Sequence, residues 1–124
     1  MSKAKKNLSH EGECLILHEA RVYGDAVVKD DAQVYDDAEV CGKAQVRVKA
    51  QVFGDAYVSD KALIDDRAKV YGSAEVREKA KAYGRAVVKD DARVYADAEV
   101  YGYAIVSGDE IVYENEKVDN QVSK

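Results

Sequence analysis

The sequence predicts an all-β fold, a parallel β-helix solenoid, and three observations carry that prediction. Alanine recurs at every sixth position from Ala20 to Ala104, fifteen times without a slip. Two places after each alanine stands Val or Ile, with Ala82 the single exception. The three residues between one such pair and the next are rich in Gly and Asp, as in YGD at 23–25, KDD at 29–31 and FGD at 53–55. An unbroken short period of this kind marks a chain whose repeats stack on one another.

Each hexad divides into a short strand and a corner. Strand side chains alternate between faces, so in Ala20-Arg21-Val22 the Ala and Val point one way and Arg21 the other. Most residues in the Arg21 slot are polar, among them Gln33, Glu39, Gln45, Gln51, Lys69, Glu75, Arg93 and Glu99. The polar side meets water and the Ala/Val side is the core. Gly, and to a lesser degree Asp, accepts the positive φ that a tight corner demands. A helix would send residues two apart to different sides, and six is not a multiple of its 3.6-residue turn. The chain has no proline, which fits strands that are hydrogen-bonded along both edges.

The 124 residues are enough for one domain. A net charge of −5 with 35% charged residues disfavours a general nucleic-acid binder, which needs a basic surface. Charges interrupt every apolar stretch, so no membrane partner is expected. The N-terminal MSKAKKNLSHEGE lacks an apolar signal core, and Cys14 and Cys41 make no disulfide framework. A cytoplasmic location is the expectation.

An aliphatic residue is followed four places later by a small one: Val22 by Ala26, Val28 by Ala32, Val34 by Ala38, and so on to Val100 and Ala104. This pattern resembles the bacterial hexapeptide-repeat family over roughly residues 14–112. One slot departs from it. Where that family often has Gly or an acidic residue directly after the aliphatic one, this chain has Tyr23, Lys29, Tyr35 and Arg47, with Gly coming one place later; a shifted corner in the same fold accounts for this. The resemblance implies a left-handed helix, triangular coils of eighteen residues, and a homotrimer. Fifteen hexads then make about five full coils plus caps. The repeat decays at both ends: Cys14 and Ile16 still fill its slots, and Glu110 replaces Ala while Val112 keeps its place. The expected layout is a cap or flexible tail at 1–13, the β-helix at 14–112, and a second cap or tail at 113–124.

If residues eighteen apart stack, the corners become columns. One reads Asp37, Asp55, Ser73, Asp91, Asp109, an acidic edge. A second reads Asp25, Lys43, Lys61, Lys79, Asp97, and a third Asp31, Lys49, Arg67, Arg85, Tyr103, both basic in their middle coils. Aspartate suits corner dihedrals on its own account. The columns also suggest that an acidic edge of one subunit meets a basic edge of another in a heterologous ring. Tyr35, Phe53 and Tyr71 form an aromatic column, and Tyr83 with Tyr101 a shorter one; a stabilising ladder, a platform for a flat ligand and a subunit interface are the readings. Val27, Leu63, Val87 and Ile105 add outward apolar spots.

Enzymes of the hexapeptide-repeat family are largely acyltransferases with acyl-CoA or acyl-carrier donors, a histidine as general base, and substrate bound between subunits. Related carbonic anhydrases hold zinc on three histidines. This chain has two histidines, His10 and His18, both outside the clean hexads. His18 is the one candidate general base. One chain cannot make a three-histidine zinc site, and no dense oxygen-ligand loop suits calcium. No cofactor and no metal are expected. Three functions remain. The leading one is a non-catalytic scaffold or protein-interaction module that self-associates, because functional residues break local rules and almost nothing here breaks them. The second is an acyltransferase-like protein with its site at a subunit interface near His18. The third is a nucleic-acid mimic whose acidic edge binds a DNA-binding protein.

Overall fold

The computed structural model describes residues 15–16 and 20–119. His10, His18 and Cys14 lie outside the described residues. The described strands form three parallel six-stranded sheets, the walls of a solenoid. Wall 1 stacks Leu15–Ile16, Gln33–Val34, Gln51–Val52, Lys69–Val70, Val87–Val88 and Ile105–Val106. Wall 2 stacks Arg21–Val22, Glu39–Val40, Tyr57–Val58, Glu75–Val76, Arg93–Val94 and Ile111–Val112. Wall 3 stacks Val27–Val28, Gln45–Val46, Leu63–Ile64, Lys81–Ala82, Glu99–Tyr101 and Lys117–Asp119. The chain visits the walls in rotation, and every partner lies eighteen residues away, as in Gln33 with Gln51 and Val58 with Val76. The eighteen-residue coil is therefore observed. Among the described residues no helix is long and apolar enough to cross a membrane.

Eighteen strands make six coils, one more than the clean hexads alone give. The degenerate hexads at the ends still wind in register. Lys117–Asp119 pairs in parallel with Glu99–Tyr101, because Val112 and Val118 keep the aliphatic slot although Glu110 and Glu116 have replaced Ala.

The inward assignment holds throughout the clean hexads. From Ala26 to Val106 every Ala and Val of the core slots is at most 1% exposed. Val22 and Val40, one above the other in wall 2, are both buried. Each buried valine contributes on the order of 2 kcal/mol, and alanine in the other slot lets three short walls close around a narrow core. Ala82, the one break in the Val column, lies between Ile64 and Val100. The largest core side chain thus adjoins the smallest.

The residue after the valine, expected at the start of the corner, still belongs to the wall in the structure. Tyr35 N–H donates to the Val52 carbonyl at 3.0 Å, as a strand residue would. The turn itself falls on the next two positions. Every corner from residue 24 to residue 114 carries one positive φ, between 56° and 70°, at the fifth position of its hexad. Glycine fills seven of these sites and Asp five, leaving Val48, Glu78, Ala96 and Glu114.

Asp does more at this position than tolerate a left-handed backbone. In each of the five cases its Oδ2 accepts a hydrogen bond from the backbone N–H of the residue eighteen later: Asp30 from Val48, Asp36 from Gly54, Asp60 from Glu78, Asp66 from Gly84 and Asp90 from Gly108, at 3.0–3.3 Å. The carboxylate ties its own corner to the one above. Glycine is the other solution. A Cβ on Gly42 would lie 2.7 Å from the nitrogen of Asp60, and one on Gly72 2.7 Å from that of Asp90. Val48 does neither. It is β-branched at φ 63°, a conformation such residues rarely adopt. It offers no acceptor to Asp66 above it, whose N–H is served by the carboxylate of Asp65 at 2.8 Å.

Two stability series test this account by urea denaturation. Val58→Asp places an unpaired charge between coils and is expected to cost more than about 4 kcal/mol. Arg47→Ala, which removes a part-exposed ion pair, costs about 1 kcal/mol or less. Equal stability of the two variants contradicts the inward assignment. At the corner, Asp36→Asn keeps an acceptor and a residue suited to positive φ and changes stability by less than about 0.5 kcal/mol. Asp36→Ala loses both and costs about 1–2 kcal/mol.

Candidate interaction surfaces

Three edges run the length of the rod, and the residue columns lie along them. The backbone ladder extends through the corners: Lys43 N–H donates to the Asp60 carbonyl, Lys61 to Glu78 and Lys79 to Ala96. Residues eighteen apart therefore follow one another up each edge. Asp37, Asp55, Asp91 and Asp109 are exposed on the edge between walls 1 and 2. Lys43, Lys61 and Lys79 are exposed between walls 2 and 3, and Lys49, Arg67 and Arg85 between walls 3 and 1.

Taking both corner positions together changes the charge map. The 1/2 edge adds Asp36 and Asp90 to its column and among the described residues has no cation at either position, so it is more acidic than one column indicates. The 2/3 edge does not stay basic. Asp60 and Glu78 sit beside Lys61 and Lys79, and Asp25, Asp97 and Glu114 close its ends. The 3/1 edge keeps its basic character in the middle coils, where Lys49, Arg67 and Arg85 meet only Asp66 at the adjacent corner position. Arg47, on wall 3 beside this edge, pairs with Asp65 at 3.2 Å. The second lysine column is thus locally neutralised, and the opposed pair of edges is 1/2 against 3/1.

Two shallow grooves follow the edges. One, of about 490 Å³, is lined by Ser73, Glu75, Asp91, Arg93, Asp109 and Ile111 where the acidic edge meets wall 2. The other, of about 390 Å³, lies along Gly42, Lys43, Asp60, Lys61, Glu78 and Lys79.

The aromatic column is a continuous stack. Tyr35 and Phe53 have ring centroids 4.8 Å apart at an interplanar angle of 1°, and Phe53 and Tyr71 4.7 Å apart at 6°. Both faces of Phe53 are taken by its neighbours, so no flat ligand can stack on it. The spacing matches that of paired strands; the ladder is fixed by the coil. Tyr83 and Tyr101 stack at 5.2 Å. Three contacts were not anticipated: Tyr95 with Tyr113 at 5.8 Å, Arg77 over Tyr95 at 4.8 Å and Arg85 over Tyr103 at 5.7 Å. All are eighteen residues apart, and the same column reading finds them.

A cluster on wall 2 was also missed. Cys41 points outward yet is 7% exposed, and Ser59 above it, at 6%, is the one buried polar residue among the described residues. Both are small residues covered by longer neighbours. Tyr57 Oη lies 3.5 Å from Cys41 Sγ, and Tyr23 Oη donates to Glu39 Oε1 at 3.3 Å. Hydrogen bonding to Cys41 is the main cause that raises both phenols above their ordinary value; burial and Glu39 add to it. On wall 3, burial and then a 2.9 Å hydrogen bond to Glu99 push Tyr83 up to about 12. The Tyr23–Glu39, Cys41–Tyr57 and Tyr83–Glu99 contacts join residues sixteen apart, diagonal neighbours on one wall, and a reading by eighteens passes over them, although Tyr23, Cys41 and Ser59 themselves share a column.

No group of three or more His, Cys, Asp and Glu residues among the described residues is placed to hold a metal ion. No family model, curated protein or solved structure matches the chain.

The raised tyrosines set the alkaline behaviour. A phenol that keeps its proton longer in the folded state contributes stability that is complete below its unfolded pKa, about 10, and is lost as pH rises through its folded value. Stability is expected to fall as pH rises above about 10, with the raised phenols, Tyr23, Tyr57 and Tyr83 among them, titrating late in the 295 nm absorbance. Tyr83→Phe removes one of the late phenols, the one near pH 12, and shows a smaller loss of stability between about pH 10 and 12. A late amplitude unchanged by this substitution shows that Tyr83 is not among the raised phenols.

Proposed function

We propose that the protein is a rigid, non-catalytic β-helix scaffold that associates with further copies of itself along its edges. The observation that supports this most is the pairing of an unneutralised acidic ladder on the 1/2 edge with a basic ladder on the 3/1 edge of the same chain. Both ladders are spaced by the same coil-to-coil step, so two copies are commensurate without adjustment. The alternating core and backbone ladder make the rod stiff, which holds these charges in fixed places. The regular hexad further supports kinship with hexapeptide-repeat proteins and their left-handed winding. On this reading the chain uses the architecture for assembly and carries no acyl-transfer site.

Light scattering tests the proposal directly. At low salt the molar mass is expected to be a small multiple of the 13.7 kDa chain and to fall toward one chain at 0.5 M salt, where exposed charges are screened. A single chain under all conditions overturns the reading. Acetyl-CoA is expected to leave the melting temperature unchanged. A rise that His18→Ala abolishes replaces the scaffold with an acyltransferase.

A further inference from the structure

We propose that the 3/1 edge of one copy seats on the 1/2 edge of a parallel second copy in a single register, in which residue i faces residue i+6 of its neighbour. This inference rests on the self-association proposed above and specifies its contacts. A closed ring of identical subunits has no translation along its axis. Subunits that stand side by side, parallel to that axis, therefore meet residue to residue at equal height. The solenoid climbs about 4.8 Å per coil, hence about 1.6 Å per hexad. Corner residues on the 3/1 edge and those one hexad later on the 1/2 edge are accordingly close in height.

In that register the charges match. Lys49 faces Asp55, and Arg85 faces Asp91, while Arg67 meets the hydroxyl of Ser73. Only the first coil opposes it, with Asp31 against Asp37. Antiparallel pairing of like edges in full overlap is opposed by the same columns. The 3/1 edge laid on itself about Arg67 sets Arg67 against Arg67 and Lys49 against Arg85, and the 1/2 edge sets Asp against Asp.

Val48 gives the register an apolar anchor. It is 38% exposed, held at φ 63°, and lies beside the basic column. The corresponding site one hexad on is Gly54, followed up the edge by Gly72, so the neighbouring edge is bare backbone there. A valine in a left-handed corner weakens the fold of its own chain. Such outliers persist where the side chain has another use, and a protruding apolar group ringed by charges, facing a side-chain-free step, suits an interface centre.

Sedimentation equilibrium at low salt tests the register. Lys49→Asp is expected to weaken association at least tenfold. Adding Asp55→Lys to the same chain restores it, whereas adding Ser73→Lys, one coil higher and facing Arg67 in this register, does not. Val48→Asn is expected to raise the melting temperature by a few degrees, since Asn accepts positive φ, and yet to weaken association. If the wild-type chain associates and Asp55→Lys fails to rescue, or Ser73→Lys rescues instead, the register is wrong and the scaffold reading stands. A wild-type chain that stays single at every concentration removes both. Melting curves confirm that the charge variants, all at exposed corner positions, remain folded.

Discussion

Everything in this molecule depends on one backbone turn made every six residues. A positive φ at the fifth position of each hexad sends the chain onto the next wall, and three such turns bring it back above where it began. Because each turn is the same, the N–H and C=O groups of one coil meet those of the next throughout the described stack. That continuity lets strands of two residues persist. An isolated pair of this length would be marginal, but here each is one rung in a six-stranded sheet. The corner is where the structure is most demanding, and its two chemical solutions, an Asp that reaches the coil above and a Gly that leaves room for it, recur along all three edges.

The same regularity organises the surface. A fixed step of eighteen residues turns sequence composition into vertical lines of like side chains. Aromatic rings stack because the coil places them at stacking distance, and acidic and basic residues line up because their slots do. The outer surface is thus a set of ruled columns with constant spacing. This is a poor shape for enclosing a small substrate and a good one for meeting another ruled surface. The two sharply different edges, 1/2 and 3/1, flank wall 1, so a single wall presents both halves of a complementary contact.

Much of this was legible in the residues. Ala20 to Ala104 at intervals of six prescribe strand and corner, and the alternation in Ala-Arg-Val settles which side is buried. Stacking by eighteens, once adopted, recovers the Tyr35, Phe53 and Tyr71 ladder. Other features were less visible, for definable reasons. The Asp carboxylate bonds at the corners need the direction in which the next coil's N–H points, which composition does not carry. The lysine column at Lys43, Lys61 and Lys79 looks basic when one slot is read alone and loses that character beside Asp60 and Glu78. Cys41 and Ser59 occupy an outward slot in one column with Tyr23, and the Tyr57 hydroxyl reaches Cys41 along a diagonal that column reading does not follow. Val48 breaks the corner rule without any local signal of why.

The stacking of residues eighteen apart is the claim beneath all the rest, and disulfide trapping measures it. In a chain with Cys14 and Cys41 replaced by Ser, Gln51→Cys with Lys69→Cys joins partners adjacent in wall 1, within the reach of a disulfide. Gln51→Cys with Leu63→Cys joins different walls. The first pair should oxidise quickly without loss of melting temperature and the second should stay reduced. Rapid closure of the second pair with an open first pair would contradict the winding.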